Sequence, residues 1–144
     1  MKIFLAGIMQ GSFSGPGYHS QGYRQQLTEL LHRNLSQVEI IDPWAMFPNS
    51  DTYSNDQARR TFFQVCDLVN QADLLIAYLP EASIGTGVEM WEAYRQGVPI
   101  ITISPMEQNW AIQFLSWQVC QSMEELESLL QKETLPPLAA GECA

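Results

Sequence analysis

Short runs of consecutive apolar residues alternate along this chain with longer stretches of helical spacing. KIFLA (2–6), VEIID (38–42), DLLIAYL (73–79) and VPIITIS (98–104) are continuous enough to be strands buried on both faces, and WQVCQ (117–121) supplies a short fifth. Between them, QGYRQQLTELLHRNL (21–35) sets Tyr23, Leu27, Leu30 and Leu31 on one helical face. NDQARRTFFQVCDLVNQA (55–72) does the same with Phe62, Cys66 and Val69. A helix is expected from about 87 to 96, stopped by Gly97, a common residue just beyond a helix end. NWAIQFLSW (109–117) predicts a short helix, and SMEELESLLQ (122–131) a further one with Ser122 as cap and Glu125 three positions on. GIMQGSFSGPGYHS (7–20) and PWAMFPNSDTYS (43–54) carry the glycines and prolines of loops.

Strands alternating with helices predict an α/β fold, a flavodoxin-like three-layer sandwich with a five-stranded parallel sheet in the order 2-1-3-4-5. In such sheets ligands bind beyond the carboxyl ends of the strands, where the strand order reverses. The loop after the third strand belongs to that edge. It reads EASIGTGVEMWEAYRQG (81–97) and brings Gly85, Gly87 and Glu89 there.

Two readings of Glu89 compete. Thr86-Gly-Val-Glu89 fits T-x-x-E, a capping box in which hydroxyl and carboxylate satisfy each other's backbone amides. In the other, a first-turn carboxylate kept ionised by the helix terminus faces a ligand that glycines let approach, and attacks it.

Composition narrows the field. The 144 residues suffice for one domain with its own core, here 1–133, followed by a frayed tail at 134–144. Apolar residues make up 46% and charged residues 16%, a globular balance. No stretch is long enough to span a bilayer, and MKIFLAG lacks the apolar length of a signal peptide, so the expectation is a cytoplasmic protein with no membrane partner. A net charge of −9 disfavours a nucleic acid polymer. It leaves room for a small anion held by backbone amides. Cys66, Cys120 and Cys143 have no metal spacing, and their odd number argues against a disulfide framework. Cys66 and Cys120 are expected to be buried, inert thiols.

ADLLIAYLPEASIGTGVEMWEAYRQGVPIITI resembles the signature of the nucleoside 2-deoxyribosyltransferase family, which includes 2′-deoxynucleoside 5′-phosphate N-hydrolases and cytidine monophosphate hydrolases. The matching features are the strand-opening Ala72 and Asp73, then Ser83, Gly85, Gly87, Glu89 and Gly97. KIFLAG resembles the family's first strand and glycine turn, which brings in Gly7. NWAIQFLSWQV resembles the segment that reaches a neighbouring subunit's site, bringing in Gln113 and Ser116.

The resemblance implies cleavage of an N-glycosidic bond in a nucleoside or nucleoside 5′-monophosphate. Glu89 would attack the anomeric carbon, and the glycosyl ester would pass to water or to another base. It implies no metal and no organic cofactor. NWAIQFLSW carries Trp110, Ile112, Phe114, Leu115 and Trp117, more apolar surface than one short helix can bury against its own sheet, so a homodimer or larger even assembly is expected, and the resemblance adds that the sites are shared. Two positions depart from the pattern. Phe4 stands where the family has a tyrosine that steadies the nucleophile, and Val65 where it has an aspartate near the departing base; Asp67 is two residues off.

Asp42, at the end of the second strand, is the leading substitute acid, against a plain turn-forming role before Pro43. Ser83 favours phosphate, since family members acting on unphosphorylated nucleosides commonly hold an acid there. Ser12 in the glycine-rich loop could add a hydroxyl, and Trp44 or Trp110 could stack on a base. A second function remains open: a nucleotide-binding module that kept the pocket and lost the chemistry.

Overall fold

The computed structural model describes residues 1–15 and 17–138; Pro16, Cys143 and most of the tail expected to fray lie outside the described residues. The chain runs β1 (Lys2–Gly7), α1 (Gly22–Asn34), β2 (Glu39–Ile41), α2 (Pro43–Met46), a 3-10 turn (Ser50–Thr52), α3 (Asn55–Val69), β3 (Leu74–Tyr78), α4 (Ile84–Arg95), β4 (Ile100–Ile103), α5 (Trp110–Leu115), β5 (Gln118–Cys120) and α6 (Met123–Gln131). The five strands are all parallel, in the order β2-β1-β3-β4-β5, as the pattern predicts.

β1 shows why its run is continuously apolar. Ile3 and Leu5 face α1 and α6, packing on Leu27, Leu31, Leu126 and Leu130. Phe4 and Ala6 point the other way, into a core with Met90 and Ala93 of α4 and Ile112 of α5. A strand covered on both sides has no solvent face on which to place a polar residue. At the amino edge, Asp73 ties β3 to β1: its Oδ2 accepts from Lys2 N at 2.7 Å, and its amide donates to Lys2 O at 2.8 Å. That gives the Asp opening the third strand a register role.

Three expectations need correction. The 43–54 segment is not wholly loop. Asp42 caps α2 through Trp44 N at 3.1 Å, with Pro43 in the first turn, where its missing N–H costs nothing.

α4 begins at Ile84, three residues earlier than expected. Its cap is Ser83, whose Oγ accepts from Thr86 N at 3.4 Å and from the Thr86 hydroxyl at 3.0 Å. The T-x-x-E box is therefore not used, and Glu89 lies in the second turn. At the other end Gly97 takes φ +73°, the left-handed conformation expected after a helix.

The α3 stripe does not enter the core as its spacing suggests. Val69 is buried, but Phe62 is 45% exposed and Cys66 only half-buried, because the first part of α3 stands off the sheet.

Candidate functional site

The space that α3 leaves open is a cavity of about 670 Å³ at the carboxyl edge of the sheet. Its floor includes Gly7, at the end of β1, and Glu89. One wall is the β1–α1 loop, with Gly11 and Phe13; the facing wall is α3, with Val65 and Cys66. Residue 7 has to be glycine, because the Tyr23 hydroxyl occupies the place where a β-carbon would stand. That hydroxyl donates to Ile8 O at 3.2 Å, and the Tyr23 ring stacks on Tyr78 at 4.3 Å.

The loop wall is pinned from several sides. His19 N donates to Met9 O at 2.7 Å, and the Gln21 amide donates to Ile8 O and His19 O at 3.1 and 2.7 Å. The His19 ring stacks on Phe13 at 4.4 Å and is only partly exposed. Its Nε2 stands 2.8 Å from Glu81 Oε1, yet is buried and off the line of a hydrogen bond.

Glu89 is half-buried and lines the cavity. Burial, partly offset by the Arg24 guanidinium, pushes its carboxyl up to about 8. No hydrogen bond among the described residues contributes. The expectation of a carboxylate held ionised by the helix terminus is thus overturned. One turn further into the helix, the field of the end amides has fallen off, and desolvation wins. Cys66, across the cavity, is also pushed up, by burial first and then by the negative charges of Glu89, Glu92 and Asp67. Its thiol stays protonated, but it is not buried as expected.

Behind the floor lies a group that the hydrophobic pattern did not single out. Arg24 is 4% exposed. Its Nη1 donates to Asp42 Oδ1 at 2.7 Å and to Leu5 O at 3.1 Å, its Nε to Gln21 Oε1 at 2.7 Å, and its Nη2 more weakly to Gly7 O at 3.4 Å. A buried guanidinium pairs in this way because an unpartnered one is costly.

Of the residues singled out from the sequence, Gly7, Ser83, Gly85 and Glu89 meet in the cavity. A β-carbon on Gly85 would have nothing within 4 Å, so its lack of a side chain keeps space open. Gly87 does not line the cavity, although Thr86 and Val88 on either side of it do. Asp42 sits behind the wall, engaged by Arg24 and Trp44 N, and Trp44 packs edge-on against Tyr18 at 5.4 Å. Ser12 is exposed on the loop. Gln113 is exposed on α5, and Ser116 shares a 2.7 Å hydrogen bond with the buried Thr102; neither lines the cavity of its own chain. Phe4 is fully buried in the core, Val65 lines the α3 wall, and Asp67 is exposed on another side of that helix.

Among the described residues no Lys, Arg or His side chain lines the cavity, and no cluster of three His, Cys, Asp or Glu side chains could hold a metal ion. No helix among them is long and apolar enough to cross a membrane.

Solved structures give this architecture a counterpart. A 2-deoxyribosyltransferase from the psychrotolerant bacterium Bacillus psychrosaccharolyticus superposes with a TM-score of 0.65, covering 88% of this chain and 90% of the other at 17% identity. The chain has the fold of a 2-deoxyribosyltransferase. A conserved protein from Enterococcus faecalis V583 matches similarly, with a TM-score of 0.64 and 18% identity over 92% of this chain and 98% of that one. No protein-family model matches the sequence, and no curated protein does. At these identities the similarity establishes the fold, and the chemistry has to be argued from the cavity.

Proposed function

We propose that this protein cleaves the N-glycosidic bond of a nucleoside or nucleoside 5′-monophosphate, with Glu89 as nucleophile. The observation that carries the reading is a carboxyl with no hydrogen-bonding partner among the described residues, at the floor of a cavity on the ligand edge of a deoxyribosyltransferase fold. Attack by one Glu89 oxygen on the anomeric carbon forms a glycosyl ester as the bond to the base breaks. Water or a second base then takes the sugar and frees the carboxylate. Only the ionised form of Glu89 attacks, so the nucleophile gains strength as pH rises through its titration near 8.

Two features support a 5′-monophosphate over the bare nucleoside. Ser83 Oγ already accepts from both the amide and the hydroxyl of Thr86, which leaves its own proton to donate. Ser83 and Gly85 together bring the amino end of α4, with its free amides, to the cavity surface.

A second copy of the chain is part of the reading. α4 exposes Ile84 (86%), Trp91 (52%) and Tyr94 (54%), and α5 exposes Trp110 (77%) and Phe114 (65%). Apolar surface of this extent marks an association face. Ile84 and Val88 belong both to that face and to the cavity lining, so a partner seated on α4 would close the cavity mouth and could bring in its Gln113. In a two-fold dimer each subunit would lend the same residues to the other.

A nucleotide-binding role without turnover is favoured by one observation: the α3 wall offers Val65 and Cys66 where an acid would assist the departing base. One experiment separates the two. The protein is incubated with a panel of nucleosides and 5′-monophosphates, and free base is sought by chromatography. Release from any member, lost in Glu89→Gln, supports the enzyme. Binding without release supports the silent module, and neither binding nor release removes both.

A further inference from the structure

We propose that two copies of this chain pair antiparallel along α4, and that Arg95 of each copy supplies, at the amino end of the other's α4, the cation that the cavity lacks. The inference rests on the reading of a 5′-monophosphate as ligand and of a second copy seated on α4. It adds to that reading one pairing geometry and one residue.

The exposed face of α4 is self-complementary. Ile84, Val88, Trp91 and Arg95 are all exposed, whereas Thr86, Met90 and Ala93 bury the opposite face against their own chain. At 3.6 residues per turn the four exposed side chains fall in a stripe about 60° wide. Their spacing of four, three and four residues reads the same from either end. A two-fold axis between positions 89 and 90 therefore sets Val88 against the partner's Trp91, and Ile84 against the partner's Arg95. Large side chains meet smaller ones, as close helix packing requires. The methylene stem of arginine can cover an isoleucine while its guanidinium stays free.

Charge favours the same direction. Glu81 lies exposed just before α4, and Arg95 is exposed at its last turn. Antiparallel pairing brings each arginine to the partner's acidic end, where parallel pairing would set like against like. Within its own chain Arg95 has a 3.9 Å contact with Glu92, too long and too exposed to hold it. It also stands about 18 Å along the axis from Ser83, so it cannot serve its own cavity. The cavity has need of it. Ser83 and Gly85 line the ligand edge, yet no Lys, Arg or His among the described residues does, while Glu89 is present and the chain carries a net charge of −9. Ile84 is both cavity lining and the residue that the partner's Arg95 covers. The guanidinium thus arrives at the rim beside the α4 amides, where it can grip a phosphate with two parallel hydrogen bonds.

Two measurements test this. Ile84→Cys/Arg95→Cys, mildly oxidised, is expected to run as a covalent dimer on a non-reducing gel. Neither single cysteine variant should do so, because like positions stand about 16 Å apart along the paired helices; wild type controls for the native thiols. No dimer from the double variant, or one from a single variant, overturns the pairing. The second measurement is calorimetry with the four common 2′-deoxynucleoside 5′-monophosphates and their nucleosides, in a Glu89→Gln background that prevents turnover. Arg95→Gln should weaken monophosphates about tenfold or more and leave nucleosides unchanged. Ser83→Asp weakens monophosphates from within the same chain. When the two variants are refolded together, each mixed dimer holds one site with Ser83 and the partner's Arg95 both intact, so about a quarter of all sites should regain full affinity. A mixture that stays weak, or equal losses for both ligand classes, overturns the proposal. Failure of the nucleotide reading itself looks different: neither ligand class binds any version of the protein, while the cross-link still forms.

Discussion

Glu89→Gln should stabilise the protein by an amount that grows from little in acid to its full value in mild alkali. The glutamate's ordinary value is 4.5, and in the folded chain it is pushed up to about 8 by burial. Between those limits the folded state holds one more proton than the unfolded chain. Unfolding then releases a proton, and stability falls as pH rises through the window. Each step of one pH unit corresponds to about 1.4 kcal/mol, so an ionised Glu89 costs the fold up to about 5 kcal/mol relative to the protonated form. Water entering through the cavity mouth reduces this, and a penalty of about 2–4 kcal/mol is the working expectation. Glutamine preserves the volume and carries no charge. The cap of α4 is Ser83, so the substitution removes no capping contact. The assay is urea unfolding of wild type and variant at a series of pH values from about 5 to about 9, with stability from linear extrapolation. Subtracting one protein from the other cancels the contributions of the groups common to both. The curves should lie closest at the acid end, toward the ordinary value of 4.5, and diverge steadily up to about 8, with the variant on top. A constant offset, or a wild type that gains on the variant in alkali, would show that Glu89 is not held in a desolvated site.

With Glu89 as the proposed nucleophile, base release should rise with pH to a plateau just above about 8, measured as kcat/KM, whereas a fall over that range would mean that Glu89 acts as an acid instead. Ser83→Asp should keep the fold, because aspartate also caps helices, and should weaken binding of a 5′-monophosphate far more than of its nucleoside; equal losses by calorimetry would remove the phosphate preference. Ser83→Ala should cost about 0.5–2 kcal/mol in urea unfolding, since the α4 amides lose their cap; a loss on that scale from Glu89→Gln at pH 5 would point back to a capping glutamate. Ile84→Glu, at an 86%-exposed position, should leave a folded monomer by light scattering; a wild-type monomer with full activity at assay concentration would dismiss the shared site.

The sheet was legible because strands covered on both faces, as β1, β3 and β4 are, have to be nearly apolar throughout, and these runs with two shorter ones at the edges, separated by helical spacing, leave little choice of architecture. The position of Glu89 at the ligand edge followed from that order. Its electrostatic state did not. Thr86 and Glu89 imitate a capping box, but Ser83 stands at the true start of the helix and takes the amide. A shift of three residues moved the carboxyl from an end that favours its charge to a desolvated floor.

The α3 stripe failed for a related reason. Phe62, Val65 and Cys66 have core spacing, and periodicity cannot tell a core from a cavity wall. Arg24 gave no signal at all. It sits beside Tyr23 in a mixed helical pattern, and only the fold brings Asp42, eighteen residues on, into contact with it. The apolar NWAIQFLSW segment did foretell exposed Trp110 and Phe114. The larger α4 face went unnoticed because Ile84 was placed in a loop.

The central claim is that Glu89 carries the sugar, and the most direct measurement is mass spectrometry of the protein quenched with acid during turnover of whichever substrate releases base. The account predicts a pentosyl or phosphopentosyl adduct on the peptide that contains Glu89, absent from Glu89→Gln, which should release no base. Free base from wild type with the adduct on another residue, or undiminished release by Glu89→Gln, would contradict it.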